Sequence, residues 1–132
     1  MSASVLIVED EVLVAIDMEA TIREFGFSTV GIAPDSEAAL RLAAKKPDIA
    51  FVDVNLRDGP TGPEIGAKLS EAGIVVIFVT ANPRMLGLGV PGAVGVLNKP
   101  IDEEIIGSVL SYAAGLRRGE PAAPPAALAR FG

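Results

Sequence analysis

Apolar residues in this chain gather in short unbroken runs, and each run stops at a side chain able to do chemistry. Val5-Leu6-Ile7-Val8 ends in Glu9-Asp10, and Ile49-Ala50-Phe51-Val52 ends in Asp53. The run from Ile74 to Val79 ends in Thr80, and Ala93 to Leu97 leads to Lys99-Pro100. Short continuous apolar runs between turn signals read as strands buried on both faces, the habit of a parallel sheet. Such strands present their ligand groups at their carboxyl ends, so acid, acid, hydroxyl and amine converge on one sheet edge.

Helical spacing fills the gaps between the strands. Residues 11–25 carry Val14, Met18, Ile22 and Phe25 at that spacing, with Gly26 as the stop. A second strand is expected at 28–33, and Pro34-Asp35-Ser36 opens a helix carrying Ala39, Leu40, Leu42 and Ala43, ended by Pro47. After the third strand, a loop containing Asp58-Gly59-Pro60-Thr61-Gly62 leads to Pro63, which starts a short helix reaching about Gly73. Residues 82–92 hold two prolines with Gly87, Gly89 and Gly92, and support only a short, irregular helix. Asp102 caps a last helix whose Ile105, Val109, Ala113 and Leu116 share one face.

This alternation predicts an α/β fold: a doubly wound, five-stranded parallel sheet in the order 2-1-3-4-5 between two helical layers. The first and third strands then adjoin at the switch point, where ligands bind. One domain is expected over residues 1–118, with an Ala/Pro-rich disordered tail or linker stub at 119–132. Met1 stands so near the first strand that it reads as a genuine start, although the tail leaves a longer protein open.

Composition narrows the chemistry. Among 132 residues there is no histidine and no cysteine. Ser-His-Asp catalysis, His-ligated zinc, disulfides and thiol chemistry are therefore excluded, and any metal site must be built from oxygen. The formal net charge of −6 argues against binding a nucleic-acid backbone. The basic pair Arg117-Arg118 suits the end of a helix, where cations meet the macrodipole. No secretory signal or membrane span is legible, and a cytoplasmic protein is the expectation.

In the expected strand order Glu9, Asp10 and Asp53 end neighbouring strands, about 5 Å apart. Carboxylates so close repel unless a cation joins them, and an oxygen-only set favours Mg²⁺ or Mn²⁺. Lys99 and Thr80 supply an ammonium and a hydroxyl for charge developing on a phosphoryl group. Asp53 is the natural nucleophile, because carboxylates attack phosphorus to give aspartyl phosphates. Asp35 and Asp58 read as cap and turn residues. Asn82 reads as a helix N-cap.

The combination of the acid pair, Asp53, Thr80 and Lys99-Pro100 resembles a response-regulator receiver domain of the two-component systems, over about residues 4–118. The resemblance implies a flavodoxin-like receiver fold with Asp53 as phosphoacceptor. It implies Asp10 as a direct Mg²⁺ ligand, Glu9 acting through water, and the Asn55 carbonyl completing the metal shell. Thr80 would shift toward the phosphoryl group, Lys99 would bridge to it, and the Lys99-Pro100 bond would be cis. The donor would be a phosphohistidine on a sensor kinase or phosphotransfer protein, and the receiver a monomer or weak dimer that signals to a protein partner or relays or drains the phosphate.

Receivers usually carry an aromatic three residues before the lysine. Val96 stands there, and the only tyrosine, Tyr112, lies in the last helix. Gly62 also falls about one residue later than is usual. Asn82 reads equally, by resemblance to receiver domains, as the residue two after Thr80 where they tune the lifetime of the phosphate. Two other readings remain: a small aspartyl-phosphate phosphohydrolase, and a degenerate receiver that binds its partner without phosphorylation. The first would want an Asp-x-Asp pair, and Asn55 stands in the third place.

Overall fold

The computed structural model describes residues 3–131; Met1, Ser2 and Gly132, at the ends of the expected domain and tail, lie outside the described residues. Strands β1 (Ser4–Val8), β2 (Ser28–Ala33), β3 (Ile49–Val52), β4 (Val75–Thr80) and β5 (Gly95–Asn98) form a parallel sheet. Helices α1 (Val12–Glu24), α2 (Ser36–Ala43), α3 (Gly62–Glu71) and α4 (Glu103–Arg117) cover its two faces. The order is β2-β1-β3-β4-β5, as the alternation predicts, and a sixth strand, β6 (Leu128–Arg130), extends it beyond β5.

Alternation along the central strands sorts the core into two layers. Leu6, Val8, Ala50, Val52, Val76 and Phe78 face α2 and α3, with Ile65 and Leu69 packed on them. Val5, Ile7, Ile49, Phe51, Ile77 and Val79 face α1 and α4, with Ile22, Val109 and Leu110 on the other side. All four central strands are buried on both faces, which is why they lack the polar alternation of a half-exposed sheet.

Caps expected from the sequence are present. Asp35 accepts from the Ala38 amide at 3.0 Å and Asp102 from the Ile105 amide at 2.9 Å. Asp58 accepts from the Thr61 hydroxyl at 2.7 Å, closing its turn. Arg117 does more than meet a helix end, since its Nε donates to Asp48 Oδ1 at 3.2 Å.

Two expectations are corrected. Among the described residues the sheet has six strands where five are expected, because Leu128–Arg130 runs antiparallel to β5 in the stretch read as disordered tail or linker stub. An edge strand offers unpaired backbone groups, and this segment supplies partners for them. Leu128 turns to the α1/α4 layer and Phe131 to the opposite one, its ring centroid 6.2 Å from that of Phe78. Second, α1 buries Ala15, Met18, Thr21 and Ile22, whereas Val14 is half-buried and Phe25 is 47% exposed. In α4 the expected face is borne out: Val109 and Ala113 are buried, Ile105 and Leu116 pack on the same layer at its margin, and Ile106, Leu110 and Tyr112 join them.

The expected short fourth helix is a single 3-10 turn, Pro83–Leu86. Gly87 breaks it with a positive φ of 55° that other residues adopt at a cost. Among the described residues there are therefore four α-helices and one 3-10 turn.

Candidate functional site

Glu9 follows β1, Asp53 follows β3, Thr80 ends β4 and Lys99 follows β5, so all four side chains belong to the carboxyl edge of the sheet. The β1–β3 pairing sets Val8 beside Val52 and thereby Glu9 beside Asp53. Carboxylate oxygens of Glu9, Asp10 and Asp53 lie within 4.8 Å of one another. Glu9 and Asp53 are buried, at 4% and 8% exposure, and Asp10 is half-buried.

Lys99 organises this cluster. Its Nζ donates to Glu9 Oε1 at 2.6 Å and to Asp53 Oδ2 at 2.9 Å. The remaining Asp53 oxygen, Oδ1, accepts from the Val54 amide at 2.7 Å. The second Glu9 oxygen accepts from the Glu11 amide at 3.2 Å. The Lys99-Pro100 peptide is cis. Thr80, 1% exposed, accepts from the Asn82 amide through its hydroxyl at 3.1 Å. Asn82 takes the N-cap place of the 3-10 turn, and its side chain makes no capping bond there. Asn55 is exposed, and its side-chain amide donates to Met85 Sδ at 3.7 Å.

Titration follows from this crowding. Burial pushes the Glu9 carboxyl above its ordinary value, the Lys99 hydrogen bond pulls it back, and the Asp53 charge raises it again. Burial would lower the Lys99 ammonium, yet hydrogen bonds to Glu9 and Asp53 outweigh it and hold the pKa up. Three carboxylates against one ammonium leave two negative charges in excess, the deficit a divalent cation satisfies. The donor set is all oxygen, suited to a hard ion that keeps some of its water. Mg²⁺ should accordingly stabilise the fold, by about 1.4 kcal/mol at tenfold excess over its dissociation constant. Thermal melts check this, with Asp10→Asn expected to lose most of the shift.

The sequence places Gly62 in the loop after Asp53 without giving its role. Gly62, the first residue of α3, donates its amide to the Val54 carbonyl at 3.0 Å. A Cβ there would collide with the Asp53 carbonyl oxygen and the Val54 Cα. Only glycine lets α3 press this closely on the strand end that carries Asp53. Gly62→Ala should cost about 2 kcal/mol and weaken Mg²⁺ binding together with it, as paired melts and a Mg²⁺ titration would show. Glu9 as a direct partner of Lys99 was equally invisible in the sequence, since no spacing rule links residues 90 positions apart.

Comparison with known proteins agrees with this geometry. The sequence matches the response regulator receiver domain over residues 5–111. The chain belongs to that family. It is 32% identical to the phyllosphere-induced regulator PhyR of Methylorubrum extorquens over 117 residues, 86% of this chain and 44% of that protein. It is 35% identical to the transcriptional regulatory protein PdtaR of Mycobacterium tuberculosis over 100 residues, 73% of this chain and 49% of that protein. The receiver thus spans about half the length of these curated relatives. The receiver domain of Erythrobacter litoralis PhyR superposes with a TM-score of 0.80 at 31% identity, covering 92% of this chain and 96% of that one.

The chain is therefore a receiver of the response-regulator type, a signalling module. Its acidic pocket has the character receivers use for a divalent metal. No helix among the described residues is long and apolar enough to cross a membrane. The phosphohydrolase alternative is not favoured.

Proposed function

We propose that Asp53 is the phosphoacceptor and that it takes its phosphoryl group from a phosphohistidine on a kinase or phosphotransfer protein. The observation that carries this reading is the placement of Lys99 Nζ on both Asp53 and Glu9. An Asp53 oxygen forms the new P–O bond while the donor's P–N bond breaks, its electron pair passing to the imidazole nitrogen. Lys99 masks the carboxylate's charge from the incoming anion and then meets the charge gathered on the equatorial oxygens. Asp10, Asp53 and the Asn55 carbonyl would hold Mg²⁺, with Glu9 acting through water, and the bound ion would supply further neutralisation of those oxygens. Thr80 donates to the phosphoryl group once formed. In this reading the only catalysis is on the protein's own acyl phosphate, and the donor meets it in the cytoplasm.

The surface beside the site supports a protein donor. Val12, Leu13 and Ile16 of α1 are 64%, 83% and 51% exposed, an apolar patch at the sheet edge that carries Asp53. A cavity of about 550 Å³ continues it, lined by Leu13, Met18, Lys99, Pro100 and Ile106 among others. Contiguous exposed apolar surface of this kind marks a protein contact. Phosphotransfer from the host's histidine kinases, ranked by initial rate, tests the reading. One donor should label the wild type rapidly and leave Asp53→Asn unlabelled. Leu13→Asp should slow that transfer at least tenfold while leaving uptake from acetyl phosphate unchanged. Equal slowing with both donors would place Leu13 in the chemistry and not in docking.

A further inference from the structure

The segment that adds β6 to the sheet is short and is held by one ladder and three side chains. Pairing joins Gly95 to Arg130, Val96 to Ala129 and Leu97 to Leu128, and the Phe131 amide donates to the Val94 carbonyl at 3.0 Å. Between α4 and β6 the connection is almost wholly exposed and contains Pro121, Pro124 and Pro125. Two side chains anchor the strand, one to each layer. Leu128 is buried at 5% exposure, and Phe131 lies against Phe78 and over Gly89. Arg130 adds a hydrogen bond to the Tyr112 hydroxyl.

The strand also underfills its berth. A groove of about 320 Å³ runs beside Phe131, lined by Leu88, Val90, Pro91 and Ala93 among others. A second, of about 440 Å³, lies between α4 and the connection, bordered by Ser108, Tyr112 and Pro125 among others. Leu88, on the first groove, is fully exposed, an unusual place for a leucine beside an already apolar cleft. Beneath, β5 presents the backbone of an edge strand, the template that strand addition uses.

We propose that the outer edge of β5 is a strand-docking site for a partner protein, with Leu128–Phe131 as its exchangeable resident. The incoming segment runs antiparallel to β5. It carries an aliphatic residue toward α4 and, three positions later, an aromatic toward Phe78, the pattern that Leu128 and Phe131 display. A further apolar residue fills the groove at Leu88, which the resident leaves open, and this gives the partner its advantage. The site does not depend on the phosphoryl chemistry, so its failure would leave the phosphoacceptor reading untouched.

Gly95 makes the site specific to test. A Cβ there would collide with the Ala129 carbonyl oxygen and then with the Arg130 Cα, all of its nearest contacts lying in β6. In the full chain, Leu128→Asp with Phe131→Asp empties the berth. A fluorescent peptide reproducing residues 125–131 should bind that variant at least tenfold more tightly than wild type, in which the resident competes. Adding Gly95→Ala should abolish the binding. No binding to the emptied variant, or binding indifferent to Gly95→Ala, would overturn the proposal. A concentration-dependent dimer of the wild type, lost in Gly95→Ala, would make the occupant a second copy and overturn the partner assignment. Should the double variant fail to fold, hydrogen exchange on the wild type decides. The amides of Ala129, Arg130 and Phe131 should exchange at least tenfold faster than those of β4, and equal protection would contradict an exchangeable resident.

Discussion

Lys99→Ala should cost about 3 kcal/mol at neutral pH without metal, lowering the melting temperature by about 10 °C, and should nearly abolish phosphoryl uptake. The substitution removes one cation and leaves two buried carboxylates, Glu9 and Asp53, facing each other without it. Breaking such a pair costs more than the pair itself contributes, because the stranded charges stay desolvated. The pH dependence has a definite sign. Glu9 already titrates above its ordinary value, with burial as the main cause, so the folded state binds its proton more tightly than the unfolded chain does. That contribution to stability is present in acid and is lost as pH rises through the folded-state pKa. Without Lys99 the elevation grows, so the deficit of the variant should shrink on acidification from neutral pH. In the wild type, Lys99 contributes the opposite limb: its raised pKa means stability held through neutral pH and lost in alkali as the folded ammonium deprotonates. Denaturant melts of both proteins across pH check both limbs, and a variant as stable as wild type at neutral pH would refute the pairing.

Phosphorylation should produce its largest change in amide exchange across Ala81 to Gly92. Thr80 is the link, since its hydroxyl now accepts from the Asn82 amide at the start of the 3-10 turn. A hydroxyl that turns to donate to a phosphoryl oxygen leaves that amide and frees the turn behind it. Val96 cannot answer as a swinging ring would; it is small, stiff at χ1 and already buried at 7% exposure. The stretch beyond Asn82 is weakly built, with one 3-10 turn and three glycines at positive φ, Gly87, Gly89 and Gly92. Only Leu86 and Val90 anchor it in the core. Local refolding there is the bistable element this prediction invokes, biased by one hydrogen bond and by neutralised charge. Exchange rates that stay unchanged across 81–92 while α4 around Tyr112 responds would refute this route.

The sheet and the gathering of polar residues at its carboxyl edge were legible because both are written in continuous stretches. An apolar run bounded by turn signals has few structures open to it, and a polar residue at its end falls at the sheet edge with no further assumption. Helix faces were harder. In α1, Val12, Leu13 and Ile16 are apolar yet exposed, so hydrophobicity runs around the helix and does not identify the buried side. Val14 and Phe25 looked inward on pattern, while Ala15 and Thr21 took those places by packing. β6 was illegible for a different reason. Its two anchoring side chains, Leu128 and Phe131, stand in an Ala/Pro-rich stretch, and only the presence of an unpaired β5 edge gives them anywhere to go. At the site, residue types and positions could be read ahead, but not the contact of Lys99 with Glu9 or the close approach at Gly62, both of which depend on side-chain direction and loop path.

Intact-mass measurement after incubation with acetyl phosphate tests the assignment of Asp53 most directly. With Mg²⁺ the wild type should gain a single phosphoryl group, while without Mg²⁺ it should gain almost none. Asp53→Asn, which keeps the size of the side chain and removes the nucleophilic charge, should remain unmodified under both conditions. An adduct that persists in Asp53→Asn would contradict the account and move the chemistry to another residue.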